Sequence, residues 1–145
     1  MKKSYITWKE IDELTDLLSH QILESGIQFE NVFGMPRGGL IPAVMISHKL
    51  QIPLTTKSIL PTTLIIDDIC DTGNTFMEFQ KQLNYIHEYA SELKFACLHY
   101  KPHTSVVCPA FYANSWNLDD WIVYPWERSD SDTIQDYKNC YYAPV

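Results

Sequence analysis

Leu64-Ile65-Ile66-Asp67-Asp68-Ile69-Cys70-Asp71-Thr72-Gly73-Asn74-Thr75 decides the reading of this chain. Thr63-Leu64-Ile65-Ile66 is a continuous apolar run opened by a β-branched residue, the pattern of a strand buried on both faces. It ends in two adjacent carboxylates, Asp67 and Asp68. A loop with one glycine and two threonines follows and opens a helix expected to reach about Tyr89. In open α/β sheets, ligands bind at this carboxyl edge. Amides at a helix start, with threonine hydroxyls beside them, suit a phosphate. Adjacent acids suit sugar hydroxyls or a hydrated Mg²⁺. The bland alternative is a capping aspartate with helix-start threonines. Three acids within five residues, Asp67, Asp68 and Asp71, weigh against it, because like charges repel unless a cation or hydroxyl stands between them. The chemistry points to a phosphorylated sugar.

Working outward, elements of the same class flank this stretch. Thr7-x-x-Glu10 reads as a capping box. Trp8, Ile11, Leu14, Leu18 and Ile22 then recur at helical spacing, and Gly26 supplies the stop. Asn31–Met35 reads as a short buried strand running into the loop Pro36-Arg37-Gly38-Gly39. A helix follows, with Pro42 in its first turn, where the missing N–H costs nothing. Pro53–Leu60 reads as a strand ended by Pro61, and Leu93–Tyr100 as another. The alternation predicts an α/β protein with a twisted, mostly parallel sheet flanked by helices. From Pro109 onward the chain is aromatic and irregular and is expected to add short strands. The 145 residues hold no repeat or linker and read as a single domain, 1–145.

Composition excludes several classes. Apolar residues make up 46% and charged residues 20%, as in soluble globular domains. There is no apolar run of the about 18 residues a spanning helix needs, and no h-region follows the basic start. The formal net charge of −7 makes a nucleic-acid partner a poor expectation, since phosphate binding draws on Lys and Arg. Cys70, Cys97, Cys108 and Cys140 form no C-x-x-C pair and are too sparse for a disulfide scaffold, so they read as reduced, in the cytoplasm. Cys97, His99, His103 and Cys108 lie close enough to raise a zinc site. Lys101-Pro102 splits them, and they read instead as core and scattered polar residues.

The stretch from Leu64 to Thr75 resembles the phosphoribosyl-diphosphate (PRPP) signature of type I phosphoribosyltransferases. Met35-Pro36-Arg37-Gly38-Gly39-Leu40-Ile41-Pro42 resembles the pyrophosphate loop of the branch acting on 6-oxopurines. Lys101-Pro102 and Trp121-Ile122-Val123-Tyr124-Pro125-Trp126-Glu127 resemble that branch's purine pocket, and Ser4–Trp8 its N-terminus. The likeness spans most of the chain in the same order. It implies a Rossmann-like type I phosphoribosyltransferase fold with a small C-terminal hood over about 101–145. It implies that Arg37, Gly38 and Gly39 hold pyrophosphate, with a cis peptide before Arg37. Asp67 and Asp68 would bind the ribose hydroxyls, Asp68 also facing Mg²⁺. Asp71 would be the general base near purine N7. Thr72, Gly73, Asn74 and Thr75 would cradle the 5′-phosphate. Lys101 would donate to the 6-oxo group, Trp121 would stack on the base, and the Ile122 backbone would read position 2.

Those roles suit the residue types independently. Arg37 and Mg²⁺ can stabilise charge developing on a leaving pyrophosphate. An aspartate can take the proton the purine loses. Singly, Arg37 fits a surface loop, Lys101 a solvated face and Trp121 a core; their joint order favours the site. The implied function is a Mg²⁺-dependent 6-oxopurine phosphoribosyltransferase of purine salvage, and the apolar and aromatic content is compatible with a homodimer or larger homo-oligomer. The alternative is a PRPP- or nucleotide-binding regulatory protein with little turnover. Two departures matter. Cys70 stands where an aliphatic residue is usual, and packs as a small hydrophobe. The family's long active-site lid is reduced to residues 55–63, enough for a strand and a tight turn. The aromatic tail Tyr137–Val145 is the candidate to close the site instead.

Overall fold

The computed structural model describes residues 2–127; Cys140 and the tail Tyr137–Val145 lie outside them. In chain order the elements are β1 (Lys3–Tyr5), α1 (Trp8–Glu24), β2 (Asn31–Gly34), α2 (Leu40–Leu50), β3 (Leu54–Thr55), β4 (Thr63–Cys70), α3 (Asn74–Asn84), a 3₁₀ helix (Glu88–Glu92), β5 (Lys94–Tyr100), β6 (Phe111–Ser115) and β7 (Trp121–Val123). The described residues form two compact units, one from residues 12–118 and one from residues 2–11 with 119–127. No described helix is long and apolar enough to cross a membrane.

The larger unit is built on a five-stranded sheet of order β3-β2-β4-β5-β6, parallel throughout. This is the α/β class that the alternation predicts. β4 lies at its centre, with Val32 opposite Leu64 on one side and Asp67 opposite Cys97 on the other. Leu64, Ile65 and Ile66 are fully buried, which is why no polar residue interrupts the strand before Asp67. A cluster of Met35, Ile65, Cys70, Phe76, Leu93 and Cys97 packs with Phe33, Phe79, Phe95 and Val107 around it. Within this unit α1 contributes Thr15, Leu18, Ser19 and Ile22, all buried at helical spacing. Lys49 of α2 bridges Asp12 and Asp16 of α1 at 2.9 and 2.5 Å. Cys70, Cys97 and Cys108 are free thiols. Burial pushes the Cys97 thiol well up and the Cys70 thiol up.

Two boundaries differ from the sequence reading. The strand expected over Pro53–Leu60 is only Leu54–Thr55. Thr55 Oγ1 accepts hydrogen bonds from the N–H groups of Ser58 (3.0 Å) and Lys57 (3.4 Å), a local turn that competes with strand pairing. The following segment is fastened at both ends. Leu60 N–H donates to Thr63 Oγ1 (2.8 Å), Thr62 Oγ1 to Glu30 (2.5 Å), and the Tyr89 hydroxyl to the Ile59 carbonyl. The helix expected to reach about Tyr89 ends at Asn84. The Leu83 carbonyl takes the N–H groups of both Ile86 and His87 (2.9 and 2.7 Å), closing the helix before a separate 3₁₀ turn. Residues 111–115, in the region expected to add short strands, form the fifth strand of the main sheet.

The smaller unit pairs β1 with β7 in parallel, Ser4 opposite Ile122. The Ser4 hydroxyl donates to the Asp120 carboxylate. The capping box forms as read: Thr7 N–H donates to Glu10 Oε2 (2.7 Å) and Glu10 N–H to Thr7 Oγ1 (3.1 Å). Trp126 stacks on Tyr124, centroids 4.9 Å apart, and meets Trp8 at a tilt.

Candidate active site

Three loops follow the carboxyl ends of adjacent strands β2, β4 and β5, where a parallel sheet gathers ligand-binding groups. The first carries Arg37, Gly38 and Gly39. Met35 N–H donates to the Ile66 carbonyl (2.8 Å), tying this loop to β4, and Gly39 N–H returns to the Met35 carbonyl (2.8 Å). The Pro36–Arg37 peptide is cis, as the resemblance implies. Arg37 is exposed and Gly39 buried. A side chain has no room at either glycine. A Cβ on Gly38 would fall onto the Asp68 carboxylate, and one on Gly39 onto the Ile66 carbonyl. The glycines therefore let the α2 N-terminus and the Asp68 carboxylate approach each other.

The second loop begins with the acid pair. Asp67 is buried and Asp68 half-buried. Asp67 Oδ1 accepts from Asp68 N–H and Asp68 Oδ1 from Ile69 N–H, both at 2.8 Å. Burial, and then the neighbouring Asp68 charge, push the Asp67 carboxyl well above the usual carboxylate range. Two hard carboxylates that disfavour each other's charge form a donor set suited to a hydrated divalent cation or to ribose hydroxyls.

Beyond them Gly73 adopts a left-handed conformation (φ 83°) as the residue before α3. Its missing side chain also makes room for Val107 and Ser105. Thr72 Oγ1 accepts from Asn74 N–H (3.2 Å), and Asn74 and Thr75 form the first turn of α3. The first N–H groups of a helix have no partner within it, and they point where an anion can take them.

The third loop follows β5. Lys101 is buried; its N–H donates to the Cys70 carbonyl (2.9 Å), and its ammonium lies 3.8 Å from Asp71 Oδ2. The Lys101 side chain is 8% exposed and that of Asp71 48%. Two residues thirty positions apart thus stand side by side, a donor and an acceptor. The stretch 102–107 lies along the second loop: Val106 N–H donates to the Thr72 carbonyl (2.9 Å), and Thr104 Oγ1 to Asp71. Thr104 and Ser105 escape sequence reading, since a threonine three residues after a lysine forms no recognisable pattern. Trp121 and Ile122 belong to the smaller unit, on β7, with Trp121 half-buried and Ile122 buried. Cys97 and His99 are buried on β5; the His99 ring meets Trp116 edge-on at 5.3 Å.

Comparison with known proteins agrees with this fold. No family model matches the chain. It is 28% identical over 144 residues to a xanthine-guanine phosphoribosyltransferase of Nitratidesulfovibrio vulgaris, covering 84% of this chain and 83% of that protein. The solved purine phosphoribosyltransferase of Pyrococcus horikoshii superposes with a TM-score of 0.73 at 31% identity, over 92% of this chain and 99% of that one. A xanthine-guanine-hypoxanthine phosphoribosyltransferase of Helicobacter pylori, 20% identical, shares the fold, with a TM-score of 0.71 over 96% and 98% of the two chains. A parallel sheet with an acid pair and a helix-opening loop at its carboxyl edge is here the architecture of a type I phosphoribosyltransferase. The chain belongs to the purine phosphoribosyltransferase family of enzymes.

Proposed function

We propose that this protein transfers the phosphoribosyl group of PRPP to a 6-oxopurine (guanine, xanthine or hypoxanthine), with Mg²⁺, in the cytoplasm. The observation that carries this reading is the pairing of Lys101 Nζ with Asp71 Oδ2 at 3.8 Å. A 6-oxopurine presents an acceptor, the 6-oxo oxygen, beside a donor, N7–H, on one edge. A donor and an acceptor at adjacent positions complement that edge. Adenine offers an amine in place of the oxygen, which would set donor against donor.

In the reaction the N9 lone pair attacks the anomeric carbon and the N9–C1′ bond forms. The C1′–O bond to pyrophosphate breaks, and its electron pair leaves with the pyrophosphate. The N7 proton passes to Asp71 and then to water. Arg37, with the amide of Gly38, holds the departing pyrophosphate as its charge grows; the Gly39 amide expected to join them is already given to the Met35 carbonyl (2.8 Å). Asp67 and Asp68 hold the ribose hydroxyls, and the Asp67–Asp68 oxygens are the set that would carry Mg²⁺, Asp68 foremost. When bound, the cation neutralises charge on the diphosphate. Thr72, Gly73, Asn74 and Thr75 hold the 5′-phosphate at the α3 N-terminus. Trp121 supplies an aromatic face for the base and the Ile122 backbone meets its position 2. The raised Asp67 carboxyl supports the assignment of the acid pair, because hydroxyl donors or a cation relieve the charge conflict there.

Incubation with PRPP, Mg²⁺ and each purine tests the reading. Nucleotide and pyrophosphate should form in equal amounts with at least one 6-oxopurine, and adenine should be used about 5- to 150-fold less well. Adenine used as well as guanine would remove Lys101 from the base pocket. If PRPP raises the melting temperature yet no base gives nucleotide, the chain is a binding protein instead. That outcome gains a foothold in residues 56–62, fastened by Thr63, Glu30 and Tyr89, where the family's lid would stand.

A further inference from the structure

We infer that Thr104 is the positioning residue for Asp71, its hydroxyl fixing one carboxylate oxygen so that the other is left to face Lys101 and the purine edge. The inference rests on the reading of Asp71 as the base. Thr104 Oγ1 lies 2.8 Å from Asp71 Oδ1, 2.9 Å from the Asp71 carbonyl and 3.4 Å from the Lys101 carbonyl. A hydroxyl has one proton to give. Of these three acceptors the carboxylate is the only charged one, and charge-assisted bonds are about twice as strong as neutral ones. The two carbonyls stand close by as alternatives. The carboxylate is thereby divided: Oδ1 belongs to Thr104, while Oδ2 lies 3.8 Å from the Lys101 ammonium.

Asp71 needs such a tether. It sits in a loop, its side chain is 48% exposed, and a buried ammonium stands nearby. Without the hydroxyl, rotation about the side-chain bonds lets the carboxylate close onto Lys101 as a tight ion pair. That pair would occupy both groups the purine needs, and the base would first have to break it. The Thr104 backbone is held independently. Its N–H donates to the Lys101 carbonyl at 3.3 Å, and the flanking bonds Lys101 N–H to Cys70 and Val106 N–H to Thr72 are each 2.9 Å. Removing the hydroxyl therefore changes the tether and leaves the loop path in place. Thr104 is itself exposed, so Thr104→Val creates no cavity.

Steady-state kinetics with PRPP and guanine or hypoxanthine test this on the full chain. Thr104→Val should lower kcat about 10- to 100-fold and raise KM for the purine, with KM for PRPP within about twofold. Thr104→Ser, which keeps the hydroxyl, should recover to within about threefold of the parent. In an Asp71→Asn background, Thr104→Val should cause no further loss, because there is no base left to position. Parent-like kinetics for Thr104→Val beside an impaired Asp71→Asn overturn the inference alone. So does an equal loss in Thr104→Ser, which would make the site one of packing, or an undiminished loss in the Asp71→Asn background. A fully active Asp71→Asn enzyme overturns the reading of Asp71 as the base, and the inference with it.

Discussion

Gly38 and Gly39 are neighbours, and alanine at each should fail in a different way. At Gly39 an added Cβ would stand 2.8 Å from both Met35 N and Met35 O, and closer still to the Ile66 carbonyl. All three atoms are backbone and cannot rotate aside. They also form the Met35–Ile66 and Gly39–Met35 hydrogen bonds, each 2.8 Å, that join β2 to β4 and open α2. Losing two such bonds costs about 0.5–1.5 kcal/mol each, and forcing a methyl into packed backbone costs about 1–3 kcal/mol more. Gly39→Ala should therefore destabilise by about 2–6 kcal/mol. At roughly 2–4 °C per kcal/mol for a chain of this size, the melting temperature should fall by about 5–20 °C. At Gly38 the nearest neighbours of a new Cβ are the carboxylate atoms of Asp68, the end of a half-buried side chain that can turn away. Gly38→Ala should cost less than about 1 kcal/mol of stability but displace the carboxylate proposed to serve ribose and Mg²⁺. Thermal melts with and without PRPP and Mg²⁺ separate the two: Gly38→Ala should melt near the parent and lose the PRPP-induced rise. Retention of that rise, or a melting point as low as that of Gly39→Ala, refutes the steric argument.

Asp67→Asn should raise the melting temperature of the unliganded protein by about 2–8 °C, in the range of an about 1–2 kcal/mol relief, while abolishing the PRPP shift. Because its folded carboxyl titrates above the unfolded value, Asp67 favours the folded state below the unfolded value near 3.9 and loses that contribution as pH rises through the folded one. The parent's stability relative to Asp67→Asn should accordingly fall as pH rises across that window, and parallel melting curves would refute the assignment. Lys101→Met should cut guanine or hypoxanthine turnover and narrow the gap to adenine, measured as the ratio of kcat/KM values; an unchanged ratio removes Lys101 from base selection. With residues 56–62 fastened, some PRPP should be lost to water as ribose 5-phosphate during turnover, and product analysis finding none would show that another segment excludes water.

Much of the fold is legible in the sequence because its signals are local. The run Leu64–Ile66 declares a central strand, and the capping box declares the start of α1. The misses trace to interactions that linear patterns do not carry. Thr55 is a good strand former, yet its hydroxyl is better used by the N–H groups two and three residues on. α3 stops at Asn84 because one carbonyl, that of Leu83, takes two closing N–H groups. β1 and β7 are three residues each, too short for a period-two pattern, and each needs the opposite end of the chain as its partner. In the site, the acid pair and the glycine loops follow from the strand-then-loop pattern. The approach of Thr104 and Lys101 to Asp71 does not, because it arises from the register of β4 against β5.

The acids at the end of β4 run against what folding alone would select. Asp67 is opposite Cys97 on the most buried strand of the sheet, in a position where valine or isoleucine would extend an apolar run already three residues long. Its carboxyl is instead taken out of water beside a second acid, and burial and the Asp68 charge both disfavour its ionised form. The glycines opposite repeat the pattern. Gly38 and Gly39 give up side-chain packing and add backbone freedom to the unfolded chain, and what they gain is the close approach of a helix N-terminus to the Asp68 carboxylate. Under the proposed function, a ligand that answers the paired acids and the nearby helix N-terminus is what these costs serve. A phosphorylated sugar with its cation would do so: hydroxyls and metal would answer the acids, and phosphate oxygens the helix amides.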